Sequence, residues 1–123
     1  MSATACGARA RWRGNSPDMA QFDIYPNPYP ASRATVPFVV DVQSGLIGQL
    51  PTRLVMPLSR VGVGAARLPV ALCPSIEVQG EPLLLMAHQA APVPARLLRG
   101  RVASIAHRSS EVAGAMNAVL SGF

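Results

Sequence analysis

Prolines and glycines divide this chain into short apolar runs from residue 19 onward. The 123 residues include 12 prolines and 10 glycines, and the runs between them have the length of β-strands. Connections between consecutive runs are too short for helical crossovers, so we expect the strands to pair antiparallel. The pattern predicts one mainly β domain of the α+β class.

Strands are predicted around Phe22 and at residues 38–42, 54–58, 72–78, 82–86 and 95–98. Pro57 is expected to end or bulge its strand because it has no N–H to donate. Gly80 tolerates positive φ and predicts a tight hairpin, while residues 92–94 are predicted to form a corner.

One helix is predicted, at the C-terminus. Its apolar residues recur at helical spacing and form a single stripe, which consists of Val112, Ala115, Met116, Val119 and Leu120. The predicted architecture is therefore a small antiparallel barrel or sheet with one C-terminal helix.

The net charge of +5 raises the question of nucleic-acid binding. All 11 basic residues are arginines, and most are scattered singly along the chain. The densest cluster after residue 18 is Arg96, Arg99 and Arg101, which has no interleaved aromatic residues for base stacking. This distribution does not favour direct contact with nucleic acid.

The sequence contains no convincing catalytic or metal-binding pattern. Asp41, His88 and His107 lack the serine elbow that would support a hydrolytic triad. Two cysteines and two histidines without ligand spacing do not predict a metal site, and we expect Cys73 to be a buried thiol. We therefore predict no catalytic residue, no metal, no cofactor and no enzymatic activity.

Residues 1–18 differ in composition from the rest and are predicted to be a disordered extension, or the product of a wrongly assigned start with Met19 as the true beginning. They lack the continuous apolar centre of a secretory signal. A membrane-spanning helix needs about 20 apolar residues, and no apolar run in the sequence approaches that length. The expectation is a cytoplasmic protein with its domain at 19–123 and no membrane contact.

From residue 21 to residue 123, short motifs follow one another in an order that resembles the CcdB family of toxins. The matching segments are Gln21-Phe22 with Tyr25, residues 38–44 followed by Leu46-Ile47, residues 54–58, 92–94 and 106–108, and Asn117 in the terminal helix.

The resemblance implies an SH3-like barrel of the type shared with MazF-like toxins, and a symmetric homodimer. Such a toxin binds the A subunit of DNA gyrase, traps the cleaved DNA complex and carries out no chemistry of its own. A CcdA-like antitoxin neutralises it, so DNA is contacted only indirectly, through the antitoxin.

The family's gyrase contacts, transferred by position, fall on the C-terminus and on one loop. They are Ser44, Leu46, Ile47, Asn117, Leu120, Ser121, Gly122 and Phe123. Ser121 stands where the family has a tryptophan, which implies gyrase poisoning that is weakened, lost, or retuned to the gyrase of the protein's own host.

Two alternatives remain open from the sequence. One is a MazF-like ribonuclease, for which Arg33 and Arg53 would supply positive charge. The other is a CcdB-fold protein that binds an antitoxin as a corepressor and poisons nothing.

Overall fold

The structure is a computed structural model that describes residues 20–45, 49–60 and 73–121. The predicted N-terminal extension lies outside these ranges, and so do residues 61–66, which the sequence predicts to be a glycine-rich connection. Within them, no helix is long and apolar enough to cross a membrane.

The described residues form seven strands and one α-helix. They are β1 (Asp23–Pro26), β2 (Phe38–Asp41), β3 (Thr52–Arg60), β4 (Ser75–Val78), β5 (Glu81–Leu85), β6 (Ala91–Pro94), β7 (Ala103–Ser104) and α1 (Ser109–Ser121). Single 3₁₀ turns lie at Pro30–Ser32, Ala87–Gln89, Ala95–Leu97 and Ala106–Arg108. The predicted mainly β fold with a C-terminal helix is confirmed.

All strands belong to one antiparallel sheet, which curls into a nearly closed barrel. The order along the sheet is β4-β5-β3-β2-β1-β7, and β6 pairs with β3 beside this path. One edge of β3 pairs with β2, whereas the other is shared by β6 at residues 52–55 and by β5 at residues 58–60. Three strands therefore depend directly on β3 for their position.

Pro57 does not end its strand, contrary to the sequence-based expectation. The strand continues to Arg60, and the Pro57 carbonyl accepts the Met86 N–H at 2.9 Å. In an antiparallel strand the nitrogen and carbonyl of one residue point to the same side. The missing N–H of Pro57 therefore faces the gap between β6 and β5, where no ladder hydrogen bond is lost.

The predicted strand at 95–98 is wrong, and so is the corner predicted before it. Residues 91–94 are the strand, paired with β3, and Ala95–Leu97 is a 3₁₀ turn. Ala95 donates its N–H to the Pro51 carbonyl at 2.8 Å. Because alternate residues of a strand point their N–H and C=O groups to the same side, those of Val93 and Ala91 also point towards β3. Pro92 and Pro94 therefore point their missing donors away from β3, so both are compatible with this strand.

The hairpin predicted at Gly80 is confirmed. Val78 pairs with Glu81 across a two-residue loop, in which Gln79 has φ 53° and Gly80 has φ 82°. Two consecutive positive φ values are typical of a type I′ turn, whose twist matches that of the flanking strands.

Side chains of β1, β2 and β3 alternate between two buried clusters, because successive residues of a strand point to opposite faces. The main core includes Ile24, Val40, Met56, Val112 and Ala115. The smaller cluster consists of Tyr25, Val39, Val55, Val93 and Leu98. Helix α1 thus packs on one face only. Cys73 is a buried free thiol, as predicted.

Candidate partner-binding surface

A buried ion pair between Asp41 and Arg53 lies at the C-terminal end of β2. Asp41 is fully buried and Arg53 is 3% exposed. Nε and Nη2 of Arg53 lie 2.8 and 2.7 Å from Oδ2 of Asp41, and Oδ1 accepts the Gln43 N–H at 3.0 Å. Because guanidinium geometry is rigid and directional, this contact fixes the carboxylate and the backbone that follows it.

Gln43 extends this network to the next strand. Its side chain is buried, and its Oε1 accepts the Leu54 N–H at 3.0 Å. The Leu54 carbonyl in turn accepts the Val42 N–H at 2.9 Å, and the Val42 carbonyl accepts the side-chain amide of Gln21 at 3.1 Å. The start of the loop after β2 is therefore held from both sides.

Phe22 adds a strained backbone to the same region. Its φ of 75° is unusual for a bulky L-residue. The strain is held in place because the Phe22 N–H donates to the Asp41 carbonyl and the Phe22 carbonyl accepts the Ile105 N–H at 2.9 Å. Strained backbone of this kind concentrates at functional sites.

Burial raises the pKa of the Asp41 carboxyl, and the hydrogen bonds from Gln43 and Arg53 act against that rise. The two effects oppose each other because desolvation disfavours the charged form while a donor or a cation favours it. The carboxylate thus relies on Arg53 for compensation, and removing one partner of such a pair is strongly destabilising.

The predicted loop residues lie directly beyond this network. Ser44 is half-buried and Gly45 is exposed. Leu46 and Ile47 lie outside the described residues. The buried network therefore sets the position from which residues 44–47 depart.

The predicted helix residues lie on the last turns of α1. Asn117 and Ser121 are exposed, and the Ser121 hydroxyl donates to the Asn117 carbonyl at 2.7 Å. Leu120 is 76% exposed and Val119 is 38% exposed. Gly122 and Phe123 lie outside the described residues.

The apolar stripe of α1 therefore divides into two halves. Val112 and Ala115 are in the main core, and Met116 packs against it. Val119 and Leu120, which belong to the same stripe, are exposed instead. Isolated exposed apolar residues are common, but here a continuous stripe leaves the core only at its final turn.

Loop and helix are supported by the same core. Val42, two residues before Ser44, and Met116, next to Asn117, both pack against it. The residue that precedes the predicted loop and the start of the predicted helix end thus pack on one core, although the segments are far apart in sequence.

Asp41 and the two histidines do not come together as a catalytic triad. Asp41 is held by Arg53, and His88 and His107 are exposed on separate 3₁₀ turns. In the described ranges, no three histidine, cysteine, aspartate or glutamate side chains are grouped so that they could hold a metal ion.

A protein-family model described as CcdB protein matches residues 21–122 of this chain. The chain belongs to the CcdB family. Family membership supports a toxin of a toxin–antitoxin system. A search of curated proteins finds no sequence that matches the chain. All the predicted contact residues except Phe123 lie within the part that matches the CcdB model.

Sequence reasoning missed the network that supports the loop in this CcdB chain. The sequence pattern suggests Asp41 as a triad member and as part of the segment 38–44 that resembles the family, and it suggests Arg53 as positive charge for a ribonuclease. A signal is nevertheless present: Asp41 is the one charged residue of the run 38–42, and a charge in a buried strand requires a partner. The identity of that partner is not readable from the pattern.

Proposed function

We propose that this chain is the toxin of a toxin–antitoxin pair that binds the A subunit of DNA gyrase and traps the cleaved DNA complex. Its action is occupancy of a protein cleft, and it catalyses no reaction. It acts in the cytoplasm, where a CcdA-like antitoxin neutralises it, and its association with DNA is through that antitoxin.

One observation carries the proposal: in a CcdB-family chain, the apolar stripe of α1 leaves the core at Leu120, which is 76% exposed. A helix end that projects an apolar side chain suits insertion into another protein. The contact surface proposed here combines this end, through Phe123, with Ser44, Leu46 and Ile47 of the loop.

A symmetric homodimer is part of the proposal. Most soluble homo-oligomers have closed symmetry, and a two-fold dimer presents each surface twice. Two copies of the C-terminus would match a two-fold target such as the paired A subunits of gyrase.

Ser121 distinguishes this chain from the family pattern, which has tryptophan at this position. Tryptophan is a frequent interface hot spot, and truncating one costs about 2 kcal/mol or more. The Ser121 hydroxyl instead donates a hydrogen bond to the Asn117 carbonyl within the same helix. Since about 1.4 kcal/mol corresponds to a tenfold change in affinity, we expect weaker gyrase poisoning than in a tryptophan-bearing relative.

The decisive test compares the full chain with Ser121→Trp in a cleavage-complex assay with purified gyrase. The control is Ser110→Trp, which adds the same side chain at an exposed position in the first turn of the same helix. We expect S121W to trap cleaved DNA at a concentration at least about tenfold lower than the wild type, and S110W to match the wild type.

Two results would contradict the proposal. If neither the wild type nor S121W binds the A subunit of gyrase, the target is wrong. If the purified protein is strictly monomeric, the two-fold docking is wrong. Equal potency of wild type and S121W would remove only the claim of reduced potency.

The ribonuclease alternative has less support. Arg53, one of the two arginines that would supply charge to an RNA-binding groove, is buried against Asp41. Arg33 is exposed, but its Nε donates to the Asn27 carbonyl at 2.6 Å and its turn carries no neighbouring acid or base. RNA degradation by the purified protein would reinstate this alternative, and antitoxin binding without gyrase binding would favour the corepressor.

A further inference from the structure

Arginines of the described ranges fall into two groups. Arg53, Arg60, Arg101 and Arg108 each form an ion pair with a carboxylate. Arg33, Arg96 and Arg99 form none within those ranges. Two of these three cations, Arg96 and Arg99, are close together in sequence, in and just after the Ala95–Leu97 turn that follows β6.

Arg96 lies in this turn, and Arg99 lies two residues beyond its end. Both side chains are exposed, and Nε of Arg99 donates to the Arg96 carbonyl at 3.2 Å. This bond uses one of the five N–H donors of the Arg99 guanidinium and leaves its Nη groups for another partner. Two like charges three residues apart repel each other, so binding of an anion to both is favoured.

The turn is firmly anchored. Leu98 and Ala95 are buried, and the Leu98 N–H donates to the Ala95 carbonyl at 3.1 Å. Ala95 itself donates to the Pro51 carbonyl at 2.8 Å. The arginines therefore project from a pre-organised backbone, which lowers the entropic cost of binding a partner.

The segment bonded to this turn also carries an exposed apolar side chain. Leu50 is 43% exposed and precedes Pro51, whose carbonyl accepts the hydrogen bond from the turn. Leu97, between the arginines, is half-buried. The surface thus combines positive charge with apolar contact area.

We propose that this surface, formed by Leu50, Arg96 and Arg99, binds an acidic peptide segment that carries an apolar side chain. Guanidinium groups match carboxylates in geometry and charge, and Leu50 offers a contact for an aliphatic group. Nucleic acid fits less well, because residues 49–51 and 94–101 include no aromatic side chain for base stacking and phosphate gains nothing from Leu50. The proposal goes beyond gyrase binding and does not depend on it.

The test measures binding of the full chain to a fluorescein-labelled synthetic peptide by fluorescence anisotropy. The peptide carries glutamate and leucine in a serine–glycine background. Comparison probes are the same peptide with glutamine for glutamate, poly-L-glutamate, and a short DNA duplex. The variants are R96Q, R99Q and R96Q/R99Q. The matched control is R33Q, which removes an exposed arginine elsewhere that forms no ion pair within the described ranges.

We expect R96Q/R99Q to bind the glutamate–leucine peptide about tenfold more weakly than the wild type, since each of the two exposed charge pairs raises affinity only a few-fold. R33Q should bind like the wild type, and the glutamine peptide should bind poorly to all variants.

Equal binding by wild type and R96Q/R99Q, or tighter binding of the duplex than of the peptide, would overturn the inference. Poly-L-glutamate binding as tightly as the mixed peptide would remove the role of Leu50. Cleavage-complex formation by R96Q/R99Q is measured in parallel and should equal that of the wild type, so a failure of gyrase binding is recognised separately.

Discussion

The exit of β2 and the end of α1 belong to the same proposed contact surface, yet they are built in opposite ways. At the β2 exit, Asp41, Gln43 and Arg53 are buried and hydrogen-bonded to one another and to the neighbouring strand. At the end of α1, Leu120 and Ser121 are exposed, and the Ser121 hydroxyl donates to the Asn117 carbonyl within the helix.

The two regions have different roles: the β2 exit positions the loop, and the end of α1 supplies side chains for contact. A buried polar network fixes where a loop leaves the fold, because breaking any one of its bonds leaves an unsatisfied buried group. Substitutions at an exposed helix end change the free energy of unfolding little. Side chains there can therefore be selected for contact with a partner. Substitutions at the two places should therefore affect different measurements.

The largest effect on stability is expected for Arg53→Ala. It leaves the Asp41 carboxylate buried without its cation, which lowers the free energy of unfolding by about 3–5 kcal/mol. Urea denaturation measures this directly. The second substitution Asp41→Asn in the same chain should restore part of the loss, since the uncompensated charge is then absent.

Arg101→Ala is the matched control for Arg53→Ala. Arg101 pairs with Asp23 at 3.5 Å, and although Asp23 is only 2% exposed, the Arg101 side chain is 56% exposed, so solvent screens the interaction. A loss in R101A as large as that in R53A would show that burial of the ion pair is not what stabilises the β2 exit.

A smaller effect is expected from alkaline pH, through Tyr25. Burial, and then the charges of Asp23 and Asp41, raise the pKa of Tyr25 from 10.0 to about 12. The unfolded chain therefore ionises first. The contribution of Tyr25 to stability is complete below pH 10 and is lost as the pH rises towards about 12, by roughly 2 kcal/mol.

The urea midpoint measured across that alkaline range checks the role of Tyr25. Tyr25→Phe removes the ionising group and should flatten this part of the profile. If the wild type and Y25F lose stability in parallel, a group other than Tyr25 is responsible for the alkaline loss.

The smallest change in stability is expected for Leu120→Ala, within about 0.5 kcal/mol, because the side chain is already exposed. Gyrase cleavage-complex formation should nevertheless weaken by roughly tenfold, as for the loss of a moderate interface residue. Val112→Ala provides the contrast. Because Val112 is buried in the main core, this substitution should lower the free energy of unfolding more than Leu120→Ala does. Unchanged trapping by L120A would remove the helix end from the contact surface.

Local signals in the sequence predicted many elements of the fold. Gly80 marked the hairpin because only positive φ closes so short a loop. The nearly continuous apolar run at 38–42 marked a strand buried on both faces. Predictions failed at prolines: Pro57 interrupts nothing, and residues 92–94 form a strand, because which way a missing N–H points depends on the neighbouring strands.

The sequence by itself determined the strand-length runs, the Gly80 turn and the helical phase of residues 112–120, since each follows from backbone preferences or from a periodicity carried by nearby residues. Only the tertiary structure decided that Arg53 meets Asp41 and that the stripe of α1 is left uncovered at Leu120. Both outcomes depend on strand register and on where the core ends, which are set by contacts between residues distant in the chain.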